Sequence, residues 1–312
     1  MKTYMDKVKS GKNLTEAEMG KAVQSMMSGK WETRQIADFL AALAAKGESV
    51  SELTGAAKTL RARAISIHAP DNALDCCGTG GDRKGTLNIS TAVAIVAAAC
   101  GVPMAKHGNR ASSSKSGAAD VLEALGVNLD IPFIALEEAL EDFNFCFLMA
   151  PAHHIAMKHV TPARKMLANR TIFNLLGPLA NPAGTKLQLM GVFAKEWVKP
   201  MAETLKALGS QRAWVVHGSD GMDEITLAGP TFCAMLDDKG KIKETKLTPD
   251  DFGLPTYDKP DALQGGDAQF NAKALRALLQ SQRGAYRDTV LANTAAVLVI
   301  AGNAPDLKTG VK

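Results

Sequence analysis

The densest run of chemistry-bearing residues is DCCGTGGDRKGTLNIST, positions 75–91. Gly78, Gly80, Gly81 and Gly85 fall within eight positions, which lets the backbone turn through positive φ and approach a ligand closely. Asn88, Ser90 and Thr91 then open an expected helix, where free N–H groups and the helix dipole favour an anion. A loop of this kind can cradle phosphate with few charges. Its spacing fits neither the P-loop, which needs Gly-Lys-Ser/Thr, nor the dinucleotide fingerprint Gly-x-Gly-x-x-Gly. Taken alone, the glycines would serve equally well as a structural loop with an ordinary helix cap.

A second cluster follows in KHGNRASSSKSGAAD, positions 106–120. Lys106, His107, Arg110 and Lys115 lie beside Asn109 and the hydroxyls of Ser112, Ser113 and Ser114, all placed by the pattern after a strand end. Ligands of parallel sheets collect there, and a phosphorylated sugar suits such a mixture of charge and hydroxyls. The alternative is a solvated basic turn. A third cluster, GSDGMDEITL at 218–227, sets Asp223 beside Glu224 after the strand RAWVVHG. Hard oxygens of this type suit Mg²⁺ bridging substrate phosphates, although such a pair on its own is usually a solvated turn. The histidines of AHHIAMKHV (His153, His154, His159) do not have the i, i+4 spacing that would face them together on a helix, so zinc is not expected. His154 is expected to line a cleft or cap a packing face. Arg164, after Pro162, could grip a carboxylate bidentately.

Several elements must position these groups. Residues 1 to about 67 read as all-helical, with capping boxes at Thr15/Glu18 and Ser49/Glu52 and with Thr33 expected to cap QIADFLAALAAKG. They read as a packing or dimerisation layer without chemistry of their own. Pro70 and Asp71 break that pattern. Helices are then expected near 89–100, 118–125 and 133–143, with strands at VPMA, FCFLMA, QLMGVF and RAWVVHG. The helix WVKPMAETLKALG lies between the last two strands. TFCAMLDDKGKIKETKL reads as a hairpin turning at Asp238-Lys239-Gly240, followed by helices near 272–279 and 288–300. Such alternation predicts a mostly parallel sheet covered by helices.

The composition is that of a globular chain: 312 residues, 46% hydrophobic and 22% charged. That apolar fraction excludes disorder. Five cysteines, two of them adjacent and none in Cys-x-x-Cys spacing, fit free thiols in a reducing, cytoplasmic setting better than a disulfide framework. No run approaches the roughly 20 apolar residues of a membrane span, and the N-terminus lacks the apolar core of a secretory signal. A net charge of +4 is too small for a concentrated nucleic-acid surface.

GTGGD (78–82), NIST (88–91), KHGNR (106–110), ADVLEALGV (119–127), RTIFNLLGPLANP (170–182) and DGMDE (220–224) occur in order, and the resemblance they carry extends over essentially the whole chain. Together they closely resemble the anthranilate phosphoribosyltransferases. The resemblance implies a small N-terminal helical domain (1–68, the expected homodimer interface) and a larger α/β domain (69–312) of nucleoside phosphorylase/phosphoribosyltransferase type. A segment around 165–182 is expected to pack with the helical part. The implied reaction transfers the phosphoribosyl group of 5-phosphoribosyl 1-diphosphate (PRPP) to the amine of anthranilate, in tryptophan biosynthesis. By position, the resemblance puts Gly78, Thr79, Gly80, Gly81, Asp82, Thr86, Asn88, Ile89, Ser90 and Thr91 around PRPP. Lys106, His107, Gly108, Asn109, Arg110, Ala111, Ser112, Ser113, Ser114 and Ala118 join them. Lys106 would stabilise the leaving group, with no general base. Gly78, Asn109 and Arg164 would meet anthranilate, with His154 as a further candidate, and Ser90, Asp223 and Glu224 would hold Mg²⁺.

Three departures stand out. Ala118 takes a position where the family often has Ser, Cys76-Cys77 replace the usual apolar residues, and the family normally continues into another helix beyond Lys312. Two rivals compete with this reading. A pyrimidine-nucleoside phosphorylase would lack the Asp223-Glu224 setting, and a nucleic-acid-binding paralogue would show degraded motifs and a basic surface.

Overall fold

Four helices, α1 (Lys2–Lys9), α2 (Glu16–Met27), α3 (Thr33–Lys46) and α4 (Val50–Arg63), precede the first strand in the computed structural model. Its described residues are 1–111, 115–167 and 169–312. Local capping sets the helix starts. Thr15 and Glu18 exchange backbone and side-chain hydrogen bonds, and so do Ser49 and Glu52. Thr33 is not the cap expected from the sequence. The helix starts one residue earlier, where the Glu32 N–H donates to the Gln35 side chain. Glu52 is fully buried, accepts from the Leu14 N–H and pairs with Lys46 at 2.9 Å. It thereby ties three of the helix ends together.

The larger part alternates strand and helix: β1 (Leu74–Gly78), α5 (Ile89–Ala99), β2 (Met104–Gly108), α6 (Ala118–Ala124), α7 (Phe133–Phe143) and β3 (Phe145–Met149). After the short helices α8 (Ala150–His153), α9 (Thr161–Lys165) and α10 (Phe173–Leu176) come β4 (Leu187–Gly191), α11 (Val198–Ala207) and β5 (Arg212–Gly218). A hairpin, β6 (Thr231–Leu236) and β7 (Ile242–Leu247), leads to α12 (Pro249–Phe252), α13 (Ala268–Leu279), α14 (Ala285–Ala301) and α15 (Leu307–Val311). The seven-stranded sheet runs β3-β2-β1-β4-β5-β6-β7, parallel from β3 through β5 and antiparallel beyond.

This order places a topological switch point between β1 and β4. Chain connections leave that pair in opposite directions, so a crevice opens at their carboxyl ends. One core under the sheet joins Leu40 and Leu43 of the helical layer to Val160, Ala163, Ile172 and Phe173, and to Met201 of α11. The other face packs α5 and α14 onto β1, β4 and β5. β2 is longer than the VPMA expected from the sequence and includes Lys106 and His107. Both polar side chains can enter the sheet because each finds buried partners on its own face. No helix among the described residues is long and apolar enough to cross a membrane.

Candidate functional site

The carboxyl ends of β1 and β4 are closed over by the 218–227 loop. Gly78 and Gly191 are register partners there, and the backbone of Asp223 passes directly above both. A Cβ on Gly191 would stand 1.6 Å from the Asp223 carbonyl oxygen, and one on Gly78 would stand 2.3 Å from its Oδ2. A side chain at Gly191 would overlap the backbone of the loop, and one at Gly78 would displace the Asp223 carboxylate. The Gly80 N–H donates to Asp223 Oδ2 at 2.8 Å, joining the glycine loop to the acidic loop. Gly80 and Gly81 take φ of +65° and +75°, the left-handed region that glycine enters without strain.

Glu224, beside Asp223, accepts from the Ser90 backbone N–H in the first turn of α5, so a carboxylate occupies the positive end of that helix. Burial and the Asp82 carboxyl beside it push Asp223 up to about 7. Burial and Asp223 push Glu224 well above the ordinary range. Facing them is Lys106, buried at 1% exposure, whose Nζ donates to the Cys76 carbonyl (2.7 Å) and Ser90 Oγ (3.2 Å). Three carboxyls, a hydroxyl and one ammonium thus meet, with charge repulsion left over among the acids. Among the described residues no three such side chains form a self-sufficient metal cage. Hard carboxylate and hydroxyl oxygens are the donors Mg²⁺ takes, alongside waters and substrate phosphates, so the donor set fits the ion the sequence implied.

The rest of the glycine loop is held from far along the chain. Thr86 bridges to Gln264, and the Gly265 N–H donates to the Gly85 carbonyl at 2.8 Å. Asn88, the N-cap of α5, accepts from Asn271 Nδ2 (2.8 Å) and donates to the Ser116 carbonyl (3.3 Å). Tyr286 donates to the Asn88 carbonyl. Ile89 and Thr91 are buried and so present only backbone to a ligand. Cys76 and Cys77 are buried and all five cysteines are free.

The second expected cluster divides. Lys106 and His107 are consecutive strand residues and therefore face opposite sides of the sheet. Lys106 reaches Ser90, whereas His107 Nδ1 meets the Gly177 carbonyl at 3.2 Å. Gly108 ends β2, and Asn109 and Arg110 follow it in exposed positions. Arg110 grips Glu123 with both terminal nitrogens and also reaches Asp120, so its guanidinium is engaged by α6. Asp120 accepts from the N–H groups of Ala111 and Gly117 at 2.8 Å each and closes the base of this loop. Ala118 starts α6. Ser112, Ser113 and Ser114 lie outside the described residues.

The three histidines of the AHHIAMKHV segment separate as their spacing required. His153 meets the Ile65 carbonyl, His154 the Ala180 carbonyl, and His159 lies beside Gly29. The His154 ring stands 5.4 Å from that of His107. Carbonyls 177–180 are each met by a different element, through His107, Gln188, Arg61 and His154. This fixes the GPLA turn beneath the site. Arg164 is half-buried with its guanidinium 5.6 Å from the Phe173 ring. No acceptor among the described residues bonds to it. Burial lowers its pKa from the ordinary value.

Asp75, Arg170 and the 263–271 support were absent from the sequence expectations. Asp75 is fully buried and accepts from the His107 N–H at 3.1 Å. An acid amid apolar residues of a central strand was the available signal. The others make contacts too distant in sequence to leave one. A concavity of about 650 Å³ lies away from the strand ends, beside Phe232 with Lys195 and Lys246 over its ring. It holds none of these groups.

Burial holds His107 down to about 3, with His154 adding to the effect, and lowers His153 and His154. The unfolded chain protonates its histidines near pH 6.5, whereas these folded ones stay neutral. The histidine contribution to stability is therefore complete above about pH 6.5 and falls as pH drops toward 3, by roughly 1.4 kcal/mol per pH unit for His107 alone. From pH 7 to 5 the Tm of the parent should fall relative to that of His107→Asn, because only the parent carries the His107 contribution. An unchanged slope in that variant would contradict this origin.

Two family models match the chain, the helical bundle domain of a glycosyl transferase family over residues 2–64 and its α/β domain over residues 70–312. Anthranilate phosphoribosyltransferase of Azospirillum brasilense is 56% identical over 310 residues, covering 99% of this chain and 86% of the relative. The solved enzyme of that name from Thermus thermophilus superposes with a TM-score of 0.92 at 43% identity, covering 99% and 92% of the two chains. The Saccharomyces cerevisiae enzyme, solved in complex with PRPP and Mg, gives 0.89 at 28% identity, covering 99% and 90%. The matches run through both layers and across the switch-point site, and the chain belongs to the anthranilate phosphoribosyltransferase family.

Proposed function

We propose that this protein transfers the 5-phosphoribosyl group of PRPP to the amine of anthranilate, releasing pyrophosphate, in the tryptophan-forming pathway. The observation that carries the reading is the crossing of Asp223 over Gly78 and Gly191. It gathers the glycine loop, the N-terminus of α5, Lys106 and the acidic pair at one crevice. A diphosphate ester with its counter-ion matches that set.

Ser90, Asp223 and Glu224 would hold Mg²⁺, which when bound neutralises charge developing on the departing pyrophosphate. The Gly81 N–H binds phosphate oxygens without bringing a full charge, beside the first turn of α5, whose Ser90 N–H already donates to Glu224. Asn88, held by Asn271 and Ser116, keeps that turn aimed at the crevice. Lys106 sits behind Ser90 as a fixed positive charge, contributing to the field at the leaving group through the hydroxyl it contacts. Its buried position makes it a support for the metal end of the site. No general base is needed, because an aromatic amine is already neutral at pH 7. His107 and His154 each spend one ring nitrogen on a backbone carbonyl, and burial holds His107 down to about 3, which makes it a weak base. Rate enhancement then rests on positioning and leaving-group electrostatics.

Arg164 supplies the acceptor's handle. Its half-buried guanidinium has no acceptor among the described residues, and the carboxylate of anthranilate fits its two-pronged geometry. Arg164→Ala should raise the anthranilate KM about ten- to a hundredfold, the worth of a charged hydrogen bond, with little change for PRPP. Steady-state kinetics with each substrate varied in turn tests this. A rise confined to PRPP would remove Arg164 from the acceptor site. A homodimer through the helical layer and a cytoplasmic setting, the latter supported by five free thiols, complete the reading. Light scattering in solution tests the dimer.

A further inference from the structure

We propose that Arg170 is a positioning residue that locks the glycine loop onto the acceptor-side segment, so that PRPP and anthranilate bind with positive cooperativity. This rests on the transfer reading above.

Arg170 lies six residues beyond Arg164 in the stretch between α9 and α10. Its Nη2 donates to the Gly81 carbonyl, and its guanidinium lies 4.0 Å above the Phe193 ring. Phe193 in turn donates its N–H to Thr79 Oγ1 at 3.0 Å, and the Thr79 N–H donates to the Gly191 carbonyl at 2.9 Å. The loop is therefore grasped at positions 79 and 81, on both sides of Gly80. That grasp matters because Gly80 cannot hold its own shape. It has no side chain, its φ is +65°, and the space where a Cβ would stand is open.

The other end of the link is the support that carries Arg164. Val160, Ala163, Ile172 and Phe173 belong to one apolar core with Leu40 and Leu43, and Arg164 stacks on Phe173. Arg164 and Arg170 thus reach out from the same packed support toward different substrates. A carboxylate on Arg164 restrains α9 and the stretch bearing Arg170. Part of the ordering needed to hold the Thr79–Gly81 curve is then complete before PRPP arrives. Linkage makes the effect mutual. A planar guanidinium can donate to the carbonyl while lying flat on the ring, which a lysine ammonium cannot reproduce.

The experiment titrates Mg²⁺ and PRPP into the full chain by calorimetry, with and without saturating 2-methylbenzoate, which keeps the carboxylate and lacks the attacking amine. In the unsubstituted protein the carboxylate should tighten PRPP binding about fivefold or more. In Arg170→Leu, PRPP should bind about tenfold more weakly and the tightening should vanish. Phe193→Leu, which removes only the ring platform, should show a smaller loss in the same direction, and Arg170→Lys should not restore the coupling. Thermal unfolding of each variant checks that it folds. Equal tightening in the unsubstituted protein and Arg170→Leu, or no tightening in either, would overturn the proposal. Failure of the unsubstituted protein to bind PRPP at all would instead refute the transfer reading.

Discussion

Gly191→Ala should reduce kcat/KM for the transfer reaction by more than about a hundredfold, the largest loss expected from adding a single methyl group. The new Cβ would stand 1.6 Å from the Asp223 carbonyl oxygen and 2.5 Å from its carbonyl carbon. Something must move. β4 cannot, because it is hydrogen-bonded in register to β1 and β5 in the middle of the sheet. The acidic loop must yield, although Asn293 holds Ile225 by both its N–H and its carbonyl, and Thr226 bonds to Asp220. Lifting it pulls Asp223 away from the Gly80 N–H and Glu224 away from Ser90. A displacement of about 1 Å at a positioned group costs on the order of a hundredfold in rate. Gly177→Ala is the control, since a Cβ there meets nothing within 4 Å and its φ of −50° is ordinary. Wild-type kinetics in Gly191→Ala would show that the loop does not need its place over the strand ends.

The double change Asp223→Asn with Glu224→Gln should lower Mg²⁺-dependent activity by about a thousandfold. The several kcal/mol that a metal contributes to leaving-group charge, at about 1.36 kcal/mol per decade, sets that size. Amides keep the shape and lose the charge a hard cation needs. The fold should survive, and the pH dependence fixes the sign. Asp223 is raised from 3.8 to about 7, so the folded state holds a proton that the unfolded state releases. The Asp223 contribution to metal-free stability therefore falls as pH rises between about 4 and 7. The double variant should lose that fall and unfold higher than the parent at pH 8 without metal. Added Mg²⁺ should raise the Tm of the parent only. Equal Mg²⁺ stabilisation of both would remove these residues from the metal site.

Much of the site was legible because its pieces are local. The glycine density of GTGGD, the helix-opening NIST and the paired acids of DGMDE each state their backbone need and charge within a few residues. The capping boxes of α2 and α4 are local in the same sense. What escaped depends on partners far away. Lys106 and His107 look like a basic loop until Ser90 and Gly177 show that a strand can bury both. The Asp120 and Glu123 carboxylates that engage Arg110 lie ten and thirteen residues along the chain, beyond the motif that carries it. The supports from Gln264, Asn271 and Tyr286 sit more than 170 residues from the loop they hold, and no spacing in the sequence points to them. Thr33 missed the helix start because Glu32 and Gln35 supply a cap of their own.

The central claim is the transfer reaction at the β1/β4 switch point, and its most direct test mixes the purified protein with PRPP, anthranilate and Mg²⁺. Anthranilate fluorescence should disappear with equimolar release of pyrophosphate, and mass spectrometry should find N-(5-phosphoribosyl)anthranilate. Omitting Mg²⁺ should stop the reaction. No loss of anthranilate, with thymidine or uridine cleaved by inorganic phosphate in its place, would contradict the account and assign the crevice to a nucleoside phosphorylase.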